Sequence, residues 1–129
     1  MKFFARIAVV LGLAWALTGC GADTFAGKWT SDKLGEDFAH VVIQLNIEPK
    51  GDSYTIDFKF IDGDPRFMKQ FAKENFEVKE IKVNEQNIQF NVYRKDIRHG
   101  LSFNLNAEGD TLNGRMSEKR DGVAIQFNR

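Results

Sequence analysis

The sequence predicts an all-β domain: an eight-stranded antiparallel up-and-down meander closing into a small barrel, with one short helix (about 64–74) between strands 3 and 4. Three observations predict it. Apolar and polar residues alternate with period two through most of the chain after Trp29, as they do in strands that bury one face. Turn-forming residues interrupt the alternation at short intervals, which suits hairpins rather than crossovers. The first and last strands, 27–31 and 122–128, can pair with each other, and such closure removes the unpaired edges that invite aggregation.

The elements follow in order. Within 40–48, Val41, Ile43, Leu45 and Ile47 face one way and Gln44, Asn46 and Glu48 the other; Pro49-Lys50-Gly51-Asp52 then turns the chain. Within 53–61, Tyr54, Ile56, Phe58 and Phe60 oppose Thr55, Asp57 and Lys59. Residues 64–74 break the pattern. Asp64 suits a helix N-cap and Pro65 its first turn, after which Phe67, Met68 and Phe71 share one helical face. That face either covers one end of the core or forms a lid or partner-binding ridge. In 76–84, Phe76 and Val78 have one parity and Ile81 and Val83 the other, a slip that demands a bulge or bend near Lys79-Glu80. Strand 87–94 aligns Ile88, Phe90 and Val92, and a charged loop covers 95–99. Strand 100–107 aligns Leu101, Phe103, Leu105 and Ala107; strand 111–117 aligns Leu112, Gly114 and Met116; the last strand, after a hairpin signal at Asp121-Gly122, aligns Val123, Ile125 and Phe127. The same alternation also fits a strongly curved open sheet packed on the 64–74 helix, and strand closure separates the two architectures.

An eight-stranded barrel is just wide enough for side chains to fill it or for one small ligand. Phe58, Phe60, Phe90, Phe103 and Phe127 all point to one side, so a large preformed cavity is not expected.

The first residues are organised differently. Lys2 and Arg6 precede an uncharged apolar run from Ile7 to Leu17, the pattern of a secretory leader and too short for a membrane-spanning helix. Leu17-Thr18-Gly19-Cys20 resembles the lipobox of bacterial lipoproteins. The resemblance implies cleavage before Cys20 and attachment of diacylglycerol to its thiol, giving a signal peptide over 1–19, a lipidated tether over 20–26 and a barrel domain over 27–129. Cys20 is the sole cysteine, so no intrachain disulfide can form, and lipidation would consume the odd thiol. Gly21, rather than Asp, after the cysteine resembles the signal that sends lipoproteins of enteric-type bacteria to the outer membrane. Residues 21–26, fully extended, reach about 20–25 Å, which places the domain close to the head groups. The helix-bearing end of the barrel is expected to stay near them.

Gly27-Lys28-Trp29 resembles the Gly-x-Trp that opens the first strand of lipocalins and related calycin barrels. In that family the tryptophan packs at the closed end beneath a basic residue of the last strand. The resemblance therefore implies that Gly27, Trp29 and Arg129, with Arg115 as substitute, form a structural motif. This chain departs from the family in its shorter length and in lacking a clear Thr-Asp-Tyr motif, a disulfide and a helix after the last strand.

The 129-residue chain balances 18 basic against 18 acidic residues, and loss of Lys2 and Arg6 would leave a slight acidic excess, so no nucleic-acid partner is expected. No catalytic constellation is specific, and an enzyme is not predicted. His40 and His99 read as surface imidazoles, Glu36, Asp37 and His40 as an ordinary polar loop, and Asp62-Gly63-Asp64 as a turn and cap without the later ligands of a calcium loop; no metal and no cofactor are expected. Two functions remain. One is a membrane-anchored, non-catalytic binding module for a small apolar molecule or lipid, using Phe67, Met68 and Phe71 with inward Phe58, Phe60, Phe90 and Phe103. The other is an envelope protein-interaction lipoprotein, an inhibitor, immunity or assembly factor. It would use the neutral amide-rich face of Gln89, Asn91, Ser102, Asn104, Asn106, Asn113, Gln126 and Asn128, near Tyr93.

Overall fold

The computed structural model describes residues 23–72, 74–94, 100–118 and 122–129. The expected leader, Cys20, the 95–99 segment with His99, and Asp121 lie outside the described residues.

Period-two alternation becomes eight antiparallel strands: β1 (Gly27–Ser31), β2 (Val42–Lys50), β3 (Ser53–Asp62), β4 (Phe76–Asn84), β5 (Asn87–Arg94), β6 (Gly100–Glu108), β7 (Thr111–Ser117) and β8 (Gly122–Asn128). One helix, α1 (Pro65–Phe71), lies between β3 and β4. The sheet runs β3-β2-β1-β8-β7-β6-β5-β4. The expected pairing of first and last strands is present, with Thr30 opposite Asn128 and Ser31 opposite Phe127. The remaining gap falls between β3 and β4, the strands that α1 separates. Side chains bridge it: the Phe76 ring lies 5.3 Å from Phe58 and 5.4 Å from Phe60. The molecule is thus a nearly closed eight-stranded antiparallel barrel, as predicted, and not an open curved sheet.

Burial follows the expected parity where the ladder is regular. Phe103, Leu105 and Ala107 are buried on β6 while Ser102, Asn104, Asn106 and Glu108 are exposed. The core joins Trp29, Ile43, Leu45, Ile47, Phe58, Ile88, Phe90, Phe103, Leu112 and Phe127, with the Phe90 and Phe103 rings stacked at 4.9 Å.

Local departures have local causes. The register of β4 against β5 shifts between Lys79 and Lys82, where Glu80 takes a left-handed φ of 59°, so the expected bulge is present. Beyond it the strand is peripheral, and Val83, expected to face inward, is 41% exposed. The Pro49–Asp52 turn is tighter than expected. Pro49 and Lys50 still pair with Tyr54 and Ser53, leaving Gly51, at φ 59°, and Asp52 as the turn. The helix is shorter than 64–74. Asp64 occupies the N-cap position and Pro65 starts the helix, but the Asp64 side chain makes no capping bond. It bonds His40 Nδ1 at 3.0 Å instead.

The strand directions give the barrel two unlike ends. The chain enters at Asp23, beside the 51–52, 85–86 and 109–110 turns and Arg129. The connection from β1 to β2, containing a 3-10 turn over Glu36–Phe38, lies at the opposite end with α1 and the termini of β5, β6 and β7.

Candidate functional site: a closed end and an aromatic mouth

At the entry end the chain is tied into the barrel before Gly27. Asp23 Oδ1 accepts the N–H groups of Phe25 (2.8 Å) and Ala26 (3.1 Å) and the Tyr54 hydroxyl (2.7 Å). Phe25 is only 1% exposed and meets Tyr54 edge-on, so packed structure begins within the stretch expected to be tether. Trp29 is fully buried and donates Nε1–H to the Phe25 carbonyl at 2.8 Å. Above its ring, 4.4 Å from the centroid, lies the Arg129 guanidinium. That guanidinium also donates to the carbonyls of Asp23, Ala26 and Gly109 and to the Asp110 carboxylate. Gly27 has φ 134°, and a Cβ there would sit 2.8 Å from Arg129 Cδ. Only glycine accommodates both the conformation and the arginine. Arg115 is elsewhere, bonded to the Gly122 carbonyl.

This end also has a pH signature. Burial alone would raise the Asp23 carboxyl, but the Phe25 N–H, the Tyr54 hydroxyl, the Ala26 N–H and Arg129 outweigh it and hold the carboxyl below its ordinary value. Burial, together with that bond to Asp23, pushes Tyr54 up to about 12. A depressed folded-state pKa means stability present above the unfolded value of 3.8 and lost as pH falls through the lower folded value. We therefore expect melting temperature to drop as pH falls below about 4, and Asp23→Asn to flatten that drop while lowering stability at pH 7. Parallel acid limbs for the two proteins would contradict this assignment.

The opposite end is a mouth. A cavity of about 370 Å³ opens there, larger than the aromatic interior led one to expect. The inward residues nearest the mouth on four strands, Phe60, Phe76, Val92 and Leu101, supply its wall. Phe38 from the 3-10 turn, Phe67 and Phe71 from α1, and Met116 add to it. The rings brace one another: Phe67 meets Phe60 edge-on at 5.0 Å and lies 4.7 Å from Phe71. Polar groups stand among the lining residues in Asp37, Arg94 and Glu118, with the Arg94 guanidinium 5.3 Å over Phe71.

The β1–β2 connection is fastened to the helix across this mouth. The Ala39 carbonyl accepts the Asp64 N–H at 2.8 Å, and His40 meets the Asp64 carboxylate. At Gly63 a Cβ would lie 3.0 Å from Val41 Cγ1 and 3.3 Å from Met68 Sδ, so the glycine permits that close approach. Ala39 and His40 are both left-handed, at φ 54° and 52°, a costly pair for non-glycine residues and the kind of strain that gathers at functional sites.

The structure thus separates the residues proposed from sequence. Phe60, Phe67 and Phe71 converge on the cavity. Phe58, Phe90 and Phe103 lie deeper, in the core beneath it, and Met68 packs toward Gly63. Phe38, Phe76, Val92, Leu101, Arg94 and Met116 were missed as site residues. Their signal was inward parity combined with position at the mouth end of each strand, which requires the pairing register to read; Phe38 had no periodic signal.

The amide-rich face is partly occupied with itself. Asn87 Nδ2 donates to Asn104 Oδ1 (2.7 Å) and Asn106 Oδ1 (3.0 Å), and Gln89 donates to Asn87. Asn91 and Tyr93 both donate to Glu80, whose carboxyl is held below its ordinary value by those two bonds. Among the described residues no grouping of His, Cys, Asp and Glu could hold a metal ion.

No protein-family model matches the chain, and no curated protein sequence matches it. Among solved structures the chain is similar to human cRBP IV, at 19% identity and a TM-score of 0.45, over 84% of this chain and 99% of that one.

Proposed function

We propose that this protein is a lipoprotein, anchored through Cys20 to the bacterial envelope, most simply the outer membrane, whose barrel carries a small apolar molecule or lipid in its mouth without catalysis. The observation that carries the binding half is the 370 Å³ cavity walled by Phe38, Phe60, Phe67, Phe71 and Phe76, within the size range of small-molecule sites and mostly apolar, with a few polar groups among its lining residues. The lipobox-like Leu17-Thr18-Gly19-Cys20 after a secretory leader supports the anchoring half.

The test is a titration with the apolar fluorophore N-phenyl-1-naphthylamine. Wild-type protein should saturate at one site. Leu101→Trp adds a bulky side chain at the cavity wall; it should weaken binding by at least about tenfold while shifting stability by only about 1–3 kcal/mol. Equal binding by the variant would place the ligand elsewhere.

A further inference from the structure

We infer that the mouth faces away from the membrane that holds the chain, so ligand is exchanged with the aqueous compartment and not with the anchoring bilayer. The inference rests on the proposed lipidation of Cys20 and adds the direction of the cavity. Asp23 is fixed in place: its carboxylate accepts two backbone N–H groups and the Tyr54 hydroxyl, and its carbonyl accepts from Arg129. Only Gly21 and Ala22 separate it from Cys20, so the Cys20 Cα lies within about 10 Å of Asp23 by chain length alone, with the anchored sulfur one short side chain beyond.

That fixed point sits at the closed end. Tyr54 is the second residue of β3, next to the Gly51-Asp52 turn, and β3 then runs the height of the barrel to Asp62, just before α1. Strands of this length, tilted as in a small barrel, give a height of about 20 Å. A tether of about 10 Å cannot turn the molecule over to bring α1 to the lipid. This orientation replaces the sequence-based expectation that the helix-bearing end stays near the head groups: with Cys20 lipidated, the short tether would hold the opposite end there.

The experiment uses full-length, lipidated protein in phosphatidylcholine vesicles containing a head-group-labelled quencher lipid. Asp52→Cys at the closed end and Lys69→Cys on α1 are both exposed positions and accept a thiol-reactive fluorophore, Cys20 being consumed by lipid. The Asp52 probe should be quenched at least about twofold more than the Lys69 probe. Equal quenching, or stronger quenching at Lys69, overturns the orientation while leaving the anchor standing. Protein that fails to float with the vesicles overturns the anchor and the orientation with it, and leaves the cavity reading untouched.

Discussion

Phe103→Asp is expected to abolish cooperative folding, whereas Asn104→Asp, one residue on, should shift stability by no more than about 0.5 kcal/mol. Phe103 is 2% exposed at the centre of the barrel, stacked on Phe90 and 5.9 Å and 6.3 Å from the rings of Phe58 and Phe127. Removing such a ring costs about 3–5 kcal/mol, and a buried carboxylate without a partner adds several more. A domain of this size has a total stability of about 5–15 kcal/mol, so the sum reaches the whole. Asn104 is exposed, and its Oδ1 accepts from Asn87, a role that a carboxylate oxygen keeps. Thermal melts followed by circular dichroism separate the pair. Equal losses would mean that the register of β6 is shifted by one residue, since a one-residue slip exchanges the two faces.

Arg129→Ala should be the most damaging substitution of a charged residue in the described structure, costing about 2–4 kcal/mol and lowering the melting temperature by about 10 °C. The loss combines the guanidinium over Trp29 with carbonyls of Asp23, Ala26 and Gly109 that lose their donor. Its ion pair with the exposed Asp110 carboxylate contributes little, because water screens it. Arg129→Lys should fall between wild type and alanine, since an ammonium keeps the charge but lacks the planar fork that serves three carbonyls on two segments at once. Denaturant titrations placing alanine within about 0.5 kcal/mol of wild type would remove Arg129 from the account of the closed end.

How much of this was legible in the sequence depended on whether a single-strand period carried it. Parity along β2, β6 and β8 was readable because each buries one face, and the bulge at Glu80 was readable because the parity of Phe76 and Val78 conflicts with that of Ile81 and Val83. The exposure of Val83 was not, because alternation says which face a residue is on and not whether anything covers that face. Gly-x-Trp pointed to Arg129, yet Asp23 and Tyr54, which hold the entering chain, belong to no period or motif. The cavity was the least readable feature. It exists because the inward rings divide by height: Phe58, Phe90, Phe103 and Phe127 fill the barrel below, while Phe60, near the end of β3, and Phe76, at the start of β4, stand at the mouth and Phe67 and Phe71 hang over it from α1. Counting aromatic residues could not show that division; the registers of β3, β4 and β5 could.

Native mass spectrometry tests the central claim most directly. Protein released from the membrane fraction without apolar detergent, or expressed as the secreted domain with Cys20→Ser, should carry a non-covalent adduct of one small molecule per chain. The adduct should be extractable into organic solvent and absent from Leu101→Trp. A bare polypeptide mass in both proteins, together with no saturable binding of N-phenyl-1-naphthylamine by the wild type, would contradict a ligand in the aromatic mouth.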